Sequence, residues 1–67
     1  MNVSIRDYIK KNFKDSNESE IKDSITSSIS EGEEVSLPGL GVLFEILWSN
    51  SGSDIQETIL KNIKSGL

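Results

Sequence analysis

Apolar residues recur along this chain at helical spacing, and four helices account for nearly all of them. In the first segment Ile5, Ile9 and Phe13 fall every four residues with Tyr8 beside them, while Arg6, Lys10 and Lys14 share that spacing on a different face. This predicts a helix over 5–14. Asp15-Ser16-Asn17 interrupts the pattern. Asn17 followed by Glu20 has the form of a capping box, which starts a second helix over 17–30. Its apolar stripe is narrow: Ile21, Ile25 and Ile29. Ser24, Thr26, Ser27 and Ser28 have poor helix propensity, so packing has to hold this helix. Gly32 suits a left-handed cap at its end.

Residues 33–37 read as a very short strand or an extended linker, because Val35 and Leu37 alternate with polar neighbours. Leu37-Pro38-Gly39 is a turn or the start of a helix, since proline is tolerated in a first helical turn. A third helix is expected over 40–49. There Leu40, Leu43, Phe44 and Leu47 form one stripe, widened by Val42 and Ile46. The alternative is an α+β arrangement with 35–48 as strands, because period alone does not assign a short apolar run. Ser49 to Gly52 is a loop. Ser53 with Gln56 has a second capping-box form and opens a helix over 54–64, with Ile55, Ile59, Leu60 and Ile63 inward. Asp54 and Glu57 near its start, and Lys61 and Lys64 near its end, suit the helix dipole. Gly66 marks the stop.

The expected fold is therefore all-α: a small bundle of four short helices in a single domain over 1–67. Leu37, Leu40, Leu43, Phe44, Leu47 and Trp48 are expected to supply most of the core, each worth roughly 1.5–3 kcal/mol when fully buried, before entropy is subtracted. Their apolar density exceeds what the isoleucine stripe of the second helix can cover, which favours self-association. Leu37, Pro38, Gly39, Leu40, Gly41, Leu43, Phe44, Leu47 and Trp48 together form the candidate core or interface motif. Glu45 lies among apolar neighbours and should point outward; if buried, it calls for a partner such as Lys10, Lys14 or Lys61.

Composition narrows the chemistry. A chain of 67 residues has a thin stability margin. It contains no cysteine and no histidine, so neither disulfides nor thiolate or imidazole metal sites are available. No metal and no cofactor is expected. General base chemistry would need tuned carboxylates or lysines in a pocket, and none of the serines has a visible base; no catalytic residue is assigned and no enzyme is expected. Gly39-Leu40-Gly41 lacks both the third glycine of a dinucleotide fingerprint and the Lys-Ser/Thr of a P-loop. Glu31, Glu33 and Glu34 lack calcium-loop spacing and read as a solvated turn. The start of the chain is polar where a signal peptide would turn apolar, and the run Leu40 to Trp48 is far below the roughly 20 residues that span a bilayer.

The net charge of −4 is uneven. Residues 1–14 carry Arg6, Lys10, Lys11 and Lys14 against Asp7, a net +3; residues 15–67 carry three lysines against ten acids, a net −7. Arg6, Lys10, Lys11 and Lys14 are the one candidate nucleic-acid surface, although a solvated helix face explains them more simply. Phe44 and Trp48 could stack on bases, but no basic residue lies between Lys22 and Lys61 to accompany them.

The stretch Ile29 to Asn50 resembles the central signature of the small acid-soluble spore protein I family. The resemblance rests on Ser30-Glu31-Gly32-Glu33-Glu34, then Leu37-Pro38-Gly39-Leu40-Gly41-Val42-Leu43-Phe44-Glu45, then Ile46-Leu47, Trp48 and Asn50. It implies a non-enzymatic protein made in the developing forespore and located in the spore core, unrelated to the abundant spore proteins that coat DNA. The first helix, with Tyr8, Lys10, Lys11 and Lys14, is more polar and basic than the family pattern. The Gly32-to-Phe44 stretch is also similar to the point where bacterial histone-like proteins pass from helices into a sheet, but nothing after Phe44 supplies their basic arm. Two further readings remain beside the spore-protein reading: a nucleic-acid-associated accessory protein using the first helix, and a protein–protein adaptor using the 42–48 apolar face. No specific partner follows from the sequence beyond a homo-oligomer.

Overall fold

The computed structural model describes residues 4–67. Four α-helices follow one another: α1 (Ile5–Phe13), α2 (Glu18–Glu31), α3 (Leu37–Ser49) and α4 (Ser53–Ser65), with a 3-10 turn over Glu34–Ser36 leading into α3. The architecture is all-α, and the described residues include no strand. The α+β alternative for 35–48 gives way for a local reason. Glu33 is extended, the chain then tightens into the 3-10 turn, and Pro38 sits in the first turn of α3, where a missing N–H costs nothing.

Caps explain most helix boundaries. Ser4 Oγ accepts a hydrogen bond from Asp7 N at 3.3 Å and starts α1. The capping box of α2 is complete: Asn17 Oδ1 accepts from Glu20 N at 2.9 Å, and Asn17 N donates to Glu20 Oε1 at 3.2 Å. Gly32 closes α2 in the left-handed region at φ 63°, the one positive φ among the described residues.

Three expectations are corrected here. Helix α3 begins at Leu37 rather than at 40, because the Pro38 turn is its first turn and not a linker. The Ser53–Gln56 capping box does not form: Gly52 is the N-cap, with no side-chain cap, and Gln56 bonds elsewhere. The third concerns the core. Among the described residues only Val42 is buried, at 6% exposure. Leu40, Leu43 and Trp48 are half-buried, whereas Leu37, Phe44 and Leu47 stand exposed. On α4, Ile55, Leu60 and Ile63 are exposed as well, and only Ile59 is half-buried.

The reason is geometric. The main helix–helix contact is that of α1 with α3. The two helices lie close at Gly39, where a Cβ would sit 3.4 Å from Ile9 Cδ1, about van der Waals distance. No second helix closes over the other sides of α3. The radius of gyration is 13.1 Å, against about 11 Å for a compact chain of this length.

The glycines give a direct test of this packing. Gly41 sits inside α3 with nothing within 4 Å of a Cβ. Gly41→Ala should therefore stabilise the fold by about 0.5–1 kcal/mol through helix propensity alone. Gly32→Ala should cost about 1 kcal/mol, because an L side chain is strained at that φ. Urea denaturation of the two variants beside the parent protein measures both, and destabilisation by Gly41→Ala would contradict the open surroundings of that residue.

Candidate functional site

The residues singled out in the sequence gather around α3 and the face of α1 that crosses it. Arg6, in the first turn of α1, reaches Glu45 of α3. Its Nε donates to Oε1 at 2.7 Å and its Nη2 to Oε2 at 2.8 Å, a two-pronged charge-assisted pair. Glu45 thus does have a cationic partner, but it is Arg6 and not Lys10, Lys14 or Lys61. A hint was present in the sequence. Arg6 is the only arginine in the chain, and a guanidinium matches a carboxylate at both oxygens where an ammonium cannot.

The pair shifts both groups. Hydrogen bonds from Arg6 hold the Glu45 carboxyl below its ordinary value; partial desolvation opposes this, and the charges of Arg6 and Lys10 add to it. The hydrogen bond to Glu45, with its charge, raises Arg6 further above an already high value. Side chains on both partners remain half or more open to solvent, 66% for Arg6 and 50% for Glu45. The bridge therefore orients α1 on α3 more than it drives folding.

The other basic residues of α1 lie at the surface. Lys10, Lys11 and Lys14 are exposed, and none makes an ion pair among the described residues. Lys10 shares one cleft with Arg6 and Glu45 and, with Lys14, borders a second, apolar one, while Arg6 itself is turned onto Glu45.

The far end of α3 is closed by side chains. Asn50 Nδ2 donates to Ile46 O at 2.9 Å, Ser51 Oγ to Leu47 O at 2.6 Å, and Gln56 Nε2 to Trp48 O at 3.0 Å. Leu47 O is thereby paired, whereas Ile46 O also accepts from Asn50 N at 3.1 Å and Trp48 O from Ser51 N at 3.3 Å. Gln56 also ties the start of α4 to the end of α3. Sequence reasoning missed this role because it assigned Gln56 to its own helix cap. Phe44 and Trp48 stack one turn apart, with ring centroids 6.1 Å apart and planes at 26°. Among the described residues no group of three or more acidic side chains is placed to hold a metal ion, and no helix is long and apolar enough to cross a membrane.

The arrangement is one of packing and display, with α3 as its apolar axis. Sequence comparison gives it a family. Residues 3–67 match the family described as small, acid-soluble spore protein I. The chain belongs to that family. Relatives named small, acid-soluble spore protein I support the assignment over the whole chain. The one from Halalkalibacterium halodurans is 42% identical across all 67 residues, covering 98% of its own length. Those from Bacillus velezensis and Bacillus subtilis are 36% and 34% identical across the same residues, each covered over 94% of its length. No solved structure matches the chain significantly. Membership makes this a sporulation-associated spore protein, and the basic first helix lies inside the matched region.

The Arg6–Glu45 pair has a defined pH signature. Because the native Glu45 value lies below the unfolded one, the pair contributes stability above the ordinary glutamate value of about 4.3. That contribution is lost as pH falls through the lowered native value; Arg6 stays charged throughout. Glu45→Gln should lower Tm at neutral pH, and the difference from the parent should close at an acid pH below the native Glu45 value, where the parent carboxylate is protonated too. Thermal melts followed by circular dichroism at both pH values check this. An equal loss at both would assign the effect to packing instead.

Proposed function

We propose that this protein is a single-domain, non-enzymatic constituent of the spore core, made in the forespore during sporulation. The observation that carries the reading is family membership across residues 3–67. The chemistry of the chain is consistent with it. Without histidine or cysteine, the titratable side chains are carboxylates, lysines, one arginine and one tyrosine. Glu45, the carboxylate of the α1–α3 bridge, is engaged in holding helices together.

Acid solubility follows from the same composition. As the eleven carboxylates protonate, the seven lysine and arginine charges remain. The chain then carries a large charge of one sign, and mutual repulsion keeps copies apart.

A nucleic-acid role draws less support from the geometry. With Arg6 held by Glu45, three lysines of α1 are left to face phosphates on a chain whose net charge is −4.

The test is timed detection. A fluorescent fusion expressed from the native promoter should be silent in vegetative growth, appear in the forespore, and remain inside the mature spore after coat removal. Signal during vegetative growth, or signal removed with the coat, would overturn the reading. Chromatin-associated signal that disperses with salt and with Lys10→Glu and Lys14→Glu would favour the nucleic-acid alternative.

A further inference from the structure

The chain exposes far more surface than its mass warrants. Its accessible area is 5757 Å², whereas a compact monomer of 7.4 kDa exposes about 4,200 Å². The three residues before Ser4 account for at most about 500 Å² of the difference, their value in a fully unfolded chain. About 1,000–1,500 Å² is therefore left uncovered beyond what folding of a compact monomer leaves, and a stable dimer buries about 800 Å² on each partner.

Part of that surface is organised. A cleft of about 750 Å³ opens between α1, α2 and α3. Its apolar side chains include Phe13 from α1, Ile21 and Ile25 from α2, and Phe44 and Leu47 from α3. Phe44 and Leu47 are 41% and 46% exposed, a large solvent exposure for residues at the centre of an apolar helix. Charges of both signs border the cleft. Lys10 and Lys14 stand on its α1 side and Glu18 on its α2 side, all exposed and none in an ion pair among the described residues.

A surface with an apolar floor, cations on one edge and an anion on the other complements itself under two-fold rotation. The axis sets each copy's α1 edge opposite the other copy's α2 edge, because in an isologous contact residue i meets j and j meets i. We propose that this cleft is the interface of a two-fold symmetric homodimer, in which Phe44 and Leu47 of the two copies pack together and Lys14 of each copy faces Glu18 of the other. The area left open and the two-signed rim select a second copy of this chain. A nucleic acid would meet Glu18, and a wholly basic or acidic peptide would meet a like charge on one edge. The inference does not depend on the spore role.

Sedimentation equilibrium over a concentration series reaching about 1 mM tests it. The parent protein should form a dimer and nothing larger. Leu47→Glu should shift the equilibrium to monomer with the far-ultraviolet circular dichroism of the helices unchanged, since the residue is already half open to solvent. Lys14→Glu and Glu18→Lys should each weaken dimerisation about tenfold, because each variant places two like-charge contacts across the axis. An equimolar mixture of those two variants should dimerise at least as tightly as the parent, since every contact in the mixed dimer is again between opposite charges. A parent protein that stays monomeric, a dimer indifferent to Leu47→Glu, or a mixture no tighter than its two components would each overturn the proposal. If Leu47→Glu unfolds the chain, the charge-exchange mixture decides alone, because each of its components can be checked for helicity by itself.

Discussion

Helix α3 is apolar on every side, and the rest of the molecule is an attempt to cover it with too little material. Leu37, Leu40, Val42, Leu43, Phe44, Ile46, Leu47 and Trp48 distribute around its circumference, interrupted chiefly by Glu45. A helix of that kind belongs in an interior. The three remaining helices bring only narrow apolar stripes, with α1 nine residues long and α2 rich in serine. One face of α3 is therefore covered well, by α1 at Gly39 and Val42, while the face carrying Phe44 and Leu47 is left to solvent. The limited burial of α4, which is tied to α3 through Gln56 and the intervening loop, follows from the same shortage.

Electrostatics settles how the one good contact is oriented. Glu45 would be a liability at the centre of an apolar helix without a partner. Arg6 supplies two parallel hydrogen bonds from the helix that crosses it. Because both side chains remain hydrated, the pair specifies register and crossing more than it stabilises. It also divides the charges of α1: Arg6 turns inward to α3, and the lysines stay on the surface.

Much of the local structure was legible in the residues. The Asn17–Glu20 box, the Gly32 cap and the four-residue recurrences of α1 and α2 are properties of short stretches, and local physics is sufficient for them. Even the assignment of 42–48 to helix follows once Pro38 is accepted as a first-turn residue. Ser53 and Gln56 show the limit. The pair matches a cap in sequence, but the Gln56 amide bonds instead to the carbonyl of Trp48, which also accepts from Ser51 N.

By itself the sequence determined the helix types, the approximate boundaries, the charge asymmetry and, through the stretch from Ile29 to Asn50, the family. These depend on neighbours within a turn or two, or on residue order alone. Only the tertiary structure decided that Arg6 and not a lysine answers Glu45, that Val42 and not Phe44 or Leu47 lies deepest, and that an apolar cleft stays open between three helices. Those outcomes turn on the angle at which α1 crosses α3. Residues 39 positions apart set that angle jointly, and no periodicity along the chain records it.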